Sequence, residues 1–394
     1  MENRGVRGLY YIAHINNLPS ILKRGILSHD QVEAQDIQFT PIYDAQIVSS
    51  RRHRLAPNGK SLWSFANLYF QPRNPMLYRV LNTKSPENII VLSVRPDILN
   101  RKDTFVSTGN AAHSLSEILP PSEFARIIPQ IRENINIEWW KEEDGSKRTI
   151  MAECLVPDEI APDMIQTIYV ASHEAKERNK EILQQTDLPI VPSPKMFFQS
   201  PIRAILTPYL SLVEGDMFFS KKQTLTVSVN CVGVMGKGLA SRAKCQFPDV
   251  YVYYQDLCRK GELRIGRPHL YKRESSYYDL LAEEPSTLTP SNGETWFLLF
   301  PTKKHWRKHS DIHTIEKGLQ WLRDNYRNQG IRSLALPALG CGLGRLEWRD
   351  VGPLLCKYLS TSEIPVWIYL PAEKKISDEL LSKEFLLGQS QLFK

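Results

Sequence analysis

With 394 residues, the chain is longer than one hydrophobic core usually supports, which indicates two domains. Its 42% hydrophobic, 10% aromatic and 24% charged residues are typical of folded proteins and exclude the disordered and collagen-like classes. No apolar run reaches the roughly 18 residues needed to cross a bilayer, and the N-terminus lacks the pattern of a secretory leader, so we expect a cytoplasmic location and no membrane partner. None of the six cysteines lies in a C-x-x-C pair, so we expect reduced thiols and no metal.

The net charge of +7 comes from 50 basic and 43 acidic residues. Residues 51–100 hold eight Lys or Arg against two acidic residues, and Trp63, Tyr69 and Tyr78 lie among them. Cations interleaved with aromatic rings are typical of single-strand binding, because phosphates pair with the cations and unstacked bases stack on the rings. A solvated basic face beside core aromatics is the alternative.

The first half of the sequence predicts a strand-rich α+β domain. It opens with a strand over 8–15, and apolar residues at helical spacing over 18–26 predict a short helix that ends at Gly25. Two runs rich in β-branched residues, 88–94 and 164–172, predict further strands.

A proline-rich segment separates the two halves. Four prolines interrupt any helical or strand period over 184–206 and favour extended backbone, which is typical of a connector. We therefore predict a first domain at 1–190, a linker at 191–206, a second domain at 207–375 and a tail at 376–394.

The second half alternates strands with helices. Strands are predicted over 224–233, 296–300 and 363–371, a helix over 312–328, and a strand followed by a glycine loop over 331–344. This order predicts an α/β sandwich with a mostly parallel sheet. Two of the strands lead into glycine-rich loops, whose backbone N–H groups can approach a pyrophosphate closely.

Residues 208–372 resemble the macrodomain family and, within it, the DarG macrodomain antitoxins. The resemblance rests on four blocks in this order: Gly215-Asp216, Asn230 to Gly238, Phe300 to Trp306 and Leu336 to Gly344. It implies an α/β/α macrodomain with a mixed, mostly parallel sheet that binds ADP-ribose and removes it from DNA.

The same resemblance implies a role for each block. Asp216 would recognise the adenine amino group, and Asn230 and Gly236 would surround the distal ribose. The second glycine loop would hold the diphosphate with Gly340, Cys341, Gly342, Leu343 and Gly344. The resemblance makes Lys303 the active-site residue, and a desolvated amine near other cations can act as a nucleophile or hydrogen-bond the leaving base. A merely basic surface loop over 303–308 is the alternative.

Residues 5–172 resemble the DarT family of DNA ADP-ribosyltransferase toxins. This resemblance implies an α+β ADP-ribosyltransferase-like domain. The matching segments are Tyr10–Ile26, Ser50–Arg54, Pro57–Leu62, Asn67–Tyr78 and Arg148–Val156. The chain departs from the family pattern at Trp63-Ser64-Phe65, where many relatives have His-Asp-Tyr, and at Tyr11, where they have histidine. The modified base, thymine or guanine, is therefore left open.

Transfer of ADP-ribose from NAD explains the residues that this resemblance singles out. Cleavage of the nicotinamide–ribose bond passes through a cationic sugar, which requires a carboxylate nearby and a cation at the diphosphate. The resemblance makes Glu153 the general base and Arg52 the catalytic arginine, with Arg51 assisting. The remaining residues expected at NAD are Tyr11, His14 and Asn17.

Chemistry on a base requires that the base is flipped out of a duplex or lies in a single strand. We expect Arg54 and Arg73 to pair with the phosphates of single-stranded DNA, and Tyr69 and Tyr78 to stack on its bases.

These features predict a toxin fused to its antitoxin. The first domain would use NAD as co-substrate, without a metal, to write ADP-ribose onto a base of single-stranded DNA. The second would bind the ADP-ribosylated DNA and erase the mark, or would dock on the first and block it. Two alternatives remain, a non-catalytic reader of ADP-ribosylated DNA and a transferase that acts on RNA or protein.

Overall fold

The computed structural model describes residues 6, 8–42, 51–137, 140–273, 295–371 and 376–388. Contacts between Cα atoms divide the chain into two units, and the boundary lies between Phe198 and Gln199. Each unit has its own central sheet.

The first unit combines short strands with short helices. Its strands are β1 (Leu9–His14), β2 (Ile26–Leu27), β3 (Phe65–Tyr69), β4 (Ile89–Val94), β5 (Phe105–Ser107), β6 (Ile118–Leu119), β7 (Glu153–Pro157), β8 (Glu159–Ile160), β9 (Ile165–Val170) and β10 (Ile190–Pro192). Its helices are α1 (Leu18–Arg24), α2 (His29–Ala34), α3 (Pro75–Thr83), α4 (Phe124–Ile135), α5 (Ser146–Thr149), α6 (His173–Arg178) and α7 (Lys180–Leu183).

Eight of these strands form one sheet in the order β10-β9-β4-β1-β3-β7-β5-β6, and all neighbours are antiparallel except β10 and β9. Every residue of β4 and β7 is buried, so these strands form the centre of the core. The predicted strand-rich α+β fold is confirmed, and the predicted strands correspond to β1, β4 and β9.

The predicted helix stop at Gly25 has a physical reason. Gly25 has φ +89°, and a Cβ there would lie 2.1 Å from the carbonyl oxygen of Ile160. Only glycine tolerates both this conformation and this approach, which lets β2 pair with β8.

The second unit alternates strands and longer helices. Its strands are β11 (Ile202–Ile205), β12 (Leu210–Val213), β13 (Thr224–Asn230), β14 (His269–Tyr271), β15 (Trp296–Lys303), β16 (Leu334–Pro337) and β17 (Val366–Tyr369). Its helices are α8 (Gly238–Gln246), α9 (Pro248–Arg259), α10 (Ile312–Gln329), α11 (Trp348–Leu359) and α12 (Lys383–Leu387).

These strands form a sheet in the order β11-β12-β17-β16-β13-β15-β14, in which the five central strands are parallel and the two edges antiparallel. The predicted mixed, mostly parallel sheet is confirmed. Carboxyl ends of parallel strands meet at one edge, so the loops after β13, β15 and β16 lie together there.

The segment predicted as a linker, 191–206, is partly taken into the two sheets. The strand β10 pairs with β9, Phe197 is 1% exposed, and β11 pairs with β12. Pairing fixes the backbone on both sides of the boundary between the units.

Part of the predicted tail packs on the second unit. Leu381 and Leu386 are buried in its core, and Trp348 donates from Nε1 to the carbonyl oxygen of Leu380 at 2.9 Å. Within the described ranges, no helix has both the length and the apolar character that a membrane span requires.

Candidate active sites

Glu153 is the first residue of β7 and is fully buried. Arg51 donates from Nη1 to Oε1 at 3.2 Å and from Nη2 to Oε2 at 2.8 Å. The N–H of Ala111 donates to Oε1 at 2.8 Å, and the N–H of Glu153 donates to Ser107 Oγ at 3.0 Å. Three donors on its two oxygens fix the orientation of this buried carboxylate. Oε2 accepts only one of these bonds and keeps acceptor capacity.

The two adjacent arginines occupy different places. The side chain of Arg51 is 14% exposed and faces Glu153. The side chain of Arg52 is 58% exposed, lies 3.7 Å from a carboxylate oxygen of Glu33, and stacks 4.6 Å above the ring of Trp63. The structure therefore brings Arg51, and not Arg52, to the glutamate. The catalytic role of Arg52 stays a prediction.

His29 is a residue near this pair that the sequence reasoning missed. It is the first residue of α2, and its ring lies 5.0 Å from the ring of Trp63. Burial and the positive charge of Arg51 lower the pKa of His29 to about 4, so the ring is neutral near pH 7. No sequence motif marks His29, because it comes near Arg51 only through the fold.

The residues expected at NAD lie on or beside β1. Tyr10 pairs in register with Tyr69, and Tyr69 with Glu153, so these three share one face of the sheet. Strand alternation adds His14 to that face and places Tyr11 on the opposite one. The structure brings His14 and Glu153 to one face, while the role of Tyr11 stays a prediction.

Hydrogen bonds fix the end of β1 and the turn that follows it. His14 is buried and accepts the N–H of Asn16 at Nδ1, 3.2 Å away, and burial lowers its pKa. Asn17 donates from Nδ2 to the carbonyl oxygen of Thr40 and accepts the N–H of Thr40, at 2.9 and 2.7 Å. Asn17 therefore positions residue 40 against the strand end.

Of the residues expected at DNA, the two tyrosines are buried. Tyr69 is 6% exposed and Tyr78 is 3% exposed, with the ring of Tyr78 edge-on to Phe198 at 5.0 Å. Arg73 donates from Nε to the carbonyl oxygen of Lys195 at 3.2 Å, and its guanidinium lies 4.5 Å above Phe198. The rings therefore offer no open face to a base in this conformation.

Arg54 connects two loops of the first unit. It donates from Nη2 to the carbonyl oxygen of Ser116 at 3.0 Å, which joins the segment after Arg51 to the loop that holds Glu153. A cavity of about 340 Å³ opens beside that loop, and Thr108, Arg126 and Arg148 are among its lining residues.

In the second unit, Asn230 ends β13 and holds the first glycine loop in place. It is 5% exposed and donates from Nδ2 to the carbonyl oxygen of Val234 at 2.6 Å. Its Oδ1 accepts the N–H of Val232 and the hydroxyl of Tyr254, each at 3.0 Å. The Asn230 side chain therefore shapes the loop through its own contacts.

Asp216 is held from two sides. Its Oδ1 accepts the N–H of Phe218 at 3.0 Å, and its Oδ2 accepts a hydrogen bond from Arg242, whose guanidinium lies 4.9 Å from the ring centroid of Phe218. Arg242 was not singled out by the sequence, because it lies in α8 and reaches Asp216 only through the fold.

The glycines of the two loops divide into crowded and open positions. A Cβ at Gly340 would lie 2.8 Å from Leu346 Cδ1, and one at Gly344 only 2.4 Å from Ser310 Oγ. At Gly342 a Cβ would meet nothing within 4 Å, and at Gly236 nothing nearer than 3.8 Å. The crowded glycines close the loop, while the open ones leave backbone accessible to a ligand.

Lys303 ends β15 and reaches the second glycine loop. Its Nζ donates to the carbonyl oxygen of Leu343 at 3.2 Å, and desolvation lowers its pKa. Leu343 also approaches Gly238 of the first loop, whose Cβ would lie 3.4 Å from Leu343 Cδ1. The structure thus brings Lys303 and both glycine loops to one edge of the sheet.

The chain matches known proteins along nearly its whole length. Residues 10–198 match the family model "ssDNA thymidine ADP-ribosyltransferase, DarT", and residues 295–355 match the Macro domain model. A protein of Thermosipho africanus, named DNA ADP-ribosyl transferase-DNA ADP-ribosyl glycohydrolase fusion protein, is 55% identical over 97% of this chain and 98% of its own. The chain belongs to this family of fusion proteins. The predicted resemblances to DarT and DarG are confirmed.

Solved structures and separate relatives agree with this assignment. The structure of Thermosipho africanus DarTG in complex with ADP-ribose has a TM-score of 0.92 and 55% identity, covering 97% of this chain and 100% of that chain. A DNA ADP-ribosyl glycohydrolase of Thermus aquaticus is 36% identical over 42% of this chain and 42% of its own. Among the described residues, no group of three or more His, Cys, Asp or Glu side chains could hold a metal.

Proposed function

We propose that the first unit transfers ADP-ribose from NAD to a base of single-stranded DNA and that the second unit, the macrodomain, removes it. The observation that carries the transferase assignment is the fully buried Glu153, which is held by Arg51 and a backbone N–H on one face of the sheet. Burying a charged pair costs desolvation free energy, so a pair that is nevertheless buried is a candidate functional site.

The free acceptor capacity of Glu153 Oε2 suits a general base. In the transfer step, the bond between the ribose C1″ and nicotinamide breaks, and the bond from C1″ to a base nitrogen forms. The proton on that nitrogen passes to the carboxylate, and nicotinamide leaves with the electron pair of the broken bond. Arg51 keeps the carboxylate oriented, and Arg52 is available for the NAD diphosphate.

Thymine is the base that we propose, because the family model that matches residues 10–198 describes a thymidine ADP-ribosyltransferase. Arg54 and Arg73 remain the proposed phosphate contacts of the strand. Because Tyr69 and Tyr78 are buried, stacking by these rings would require a local rearrangement.

In the macrodomain, Asp216 and the two glycine loops bind ADP-ribose, and Lys303 acts at the distal ribose. An amine with a lowered pKa is neutral more often at a given pH, so it can add to C1″ of the opened ribose while the bond from C1″ to the base nitrogen breaks, and water then releases ADP-ribose from the amine. The base leaves with the electron pair of the broken bond and takes up a proton. In a second possible role, the amine hydrogen-bonds the departing base. We propose the boundaries 1–190 and 207–375 for the two catalytic domains, and the cytoplasm, which holds both NAD and DNA, as their location.

Fusion of the two activities gives the eraser a high effective concentration near newly made product. We propose erasure as the antitoxin activity, with docking of the macrodomain on the transferase as the alternative.

The test measures transfer of label from NAD to single-stranded DNA by three forms of the full chain: unaltered, Lys303→Ala, and Lys303→Ala with Glu153→Gln. We expect stable label only with Lys303→Ala, since this form writes and cannot erase. Glu159→Gln replaces an exposed carboxylate of the same unit and is the matched control for Glu153→Gln.

Label in the form that carries Glu153→Gln would contradict the role of Glu153. Absence of label in all forms would contradict the proposed transfer of ADP-ribose by the full chain. It would favour a non-catalytic reader of ADP-ribosylated DNA, or a transferase that is blocked by the docked macrodomain. Label on RNA or protein in place of DNA would contradict the proposed acceptor.

A further inference from the structure

The turn that follows β15 carries exposed basic and aromatic side chains. Its sequence is Lys304-His-Trp-Arg-Lys-His309, and we name it the basic turn. Trp306 is 46% exposed, and Lys304, Arg307 and Lys308 are exposed as well. None of the ion pairs found among the described residues involves these three cations. The basic turn therefore presents positive charge and one large ring to solvent.

The ring of Trp306 is held in position. His305 stacks against it with 5.5 Å between ring centroids, and the guanidinium of Arg307 lies 4.7 Å from its centroid. The N–H of Arg307 donates to His305 Nδ1 at 3.2 Å, which closes the turn. The ring is thus ordered while nearly half of its surface stays open, as a stacking platform requires.

Both ends of the basic turn are tied to the glycine loops. The N–H of Cys231, in the first loop, donates to the carbonyl oxygen of Lys304 at 3.3 Å. The N–H of Ser310 donates to the carbonyl oxygen of Gly344, in the second loop, at 3.1 Å. The turn therefore follows Lys303 directly and bridges the loops that we assign to ADP-ribose.

We propose that the basic turn binds the DNA strand that carries the ADP-ribosyl group, with Trp306 stacking on an unpaired neighbouring base and Lys304, Arg307 and Lys308 pairing with phosphates. The inference rests on the proposed glycohydrolase function and deepens it. The modified base is attached to the distal ribose, where Lys303 acts, so the strand leaves the site beside the residues that follow Lys303. Stacking on the ring strengthens binding of the strand, and the phosphate contacts add a salt-dependent part.

The test compares two substrates of the full-length chain, without NAD so that no ADP-ribose is added. One is a single strand of about 12 nucleotides that carries one ADP-ribosyl group, a length that spans the turn and several phosphates. The other is the ADP-ribosylated nucleoside released from that strand by nucleases. The measured quantity is the ratio of kcat/KM for the strand to kcat/KM for the nucleoside.

We expect Trp306→Ala to lower this ratio about tenfold, as loss of one base stack predicts. Trp306→Phe should keep most of the ratio, because it keeps a ring. Arg307→Ala should lower the ratio less, and it should reduce the slope of log kcat/KM against log salt for the strand by about one.

Two control variants lie at the other edge of the sheet. Tyr209 is also 46% exposed but precedes β12, and the exposed Arg332 precedes β16. Tyr209→Ala and Arg332→Ala should keep the ratio and the salt slope of the unaltered chain. Thermal unfolding of each variant separates a lost contact from a lost fold.

An unaltered ratio in Trp306→Ala, with both substrates hydrolysed by the unaltered chain, would overturn the inference and leave the proposed function standing. An equal loss on both substrates would place Trp306 in the ADP-ribose pocket and would also overturn it. Failure of the unaltered chain on both substrates would overturn the proposed function and the inference together.

Discussion

The transferase-like unit and the macrodomain place their charged groups in opposite environments. Glu153 is fully buried and is held by Arg51 and a backbone N–H. Lys303 is partly exposed at the end of a strand, where its Nζ contacts a backbone carbonyl oxygen of a glycine loop. Removing Arg51 would leave the buried charge of Glu153 without its ion-pair partner and would destabilise the fold. Replacing Lys303 leaves no buried charge unpaired, so the fold should tolerate that change.

The two units also differ in what surrounds the charge. In the transferase-like unit, side chains from β1, β3 and β7 are placed by strand register. In the macrodomain, glycine loops at one edge of a parallel sheet supply backbone groups. The first site therefore depends on the identity of its side chains. The second depends on glycines that leave the loop backbone uncovered for a ligand.

The largest expected effect tests the macrodomain side of this comparison. Lys303→Ala should slow removal of ADP-ribose from DNA about 1000-fold while the fold stays intact. Lys222→Ala is the matched control, since burial also lowers the pKa of Lys222, which precedes β13. Since a neutral Lys303 amine is the proposed nucleophile, the rate in the unaltered chain should rise with pH and level off below the ordinary lysine pKa. A rate that falls as pH rises would contradict a neutral amine.

The next effect tests the buried pair. Arg51→Ala should lower ADP-ribose transfer about 100-fold and also lower the melting temperature, because Glu153 loses its buried partner. Its neighbour provides the comparison: Arg52→Ala should leave the melting temperature within about one degree, since its ion pair with Glu33 is exposed. Transfer by both variants is measured by labelled-NAD incorporation in the Lys303→Ala background, and their melting temperatures are measured by thermal unfolding. A greater loss of stability in Arg52→Ala would reverse the assignment.

A smaller effect is expected at Asp216. Arg242→Ala should weaken binding of free ADP-ribose about fivefold, because Asp216 keeps only its backbone donor to orient the carboxylate. Arg273→Ala is the control, as Arg273 pairs with Asp249 at 2.7 Å in the same unit. Calorimetry of the full chain measures both affinities. Tighter binding in Arg242→Ala would show that the guanidinium competes with adenine.

The smallest effect concerns His29. The unfolded chain protonates this ring near pH 6.5 and the folded chain near pH 4, so the unfolded state holds more protons between these values. Stability should therefore fall as pH drops from 6.5 to about 4. His29→Gln should remove roughly 1 kcal/mol of that loss of stability, after allowance for solvent screening. A free energy of this size corresponds to a shift of about 2–4 °C in Tm. Equal pH dependence in both chains would contradict the lowered pKa.

The sequence by itself predicted both fold classes and the two glycine-rich loops that follow strands of the second unit. Runs of β-branched residues located the central strands, and glycines after two strands located the loops, because both patterns depend on neighbours along the chain. The order of the matching blocks identified Glu153 and Lys303 as candidates, and the fold places each at a strand end beside other candidates.

Only the tertiary structure decided which of two adjacent arginines meets Glu153, since the partners are 102 residues apart and come together through the sheet order. The same holds for His29 beside Arg51, for Arg242 at Asp216, and for the burial of Tyr69 and Tyr78. Local patterns show which residue types are present and how they alternate. The direction and the partner of a side chain depend on packing between distant segments, which periodicity does not encode.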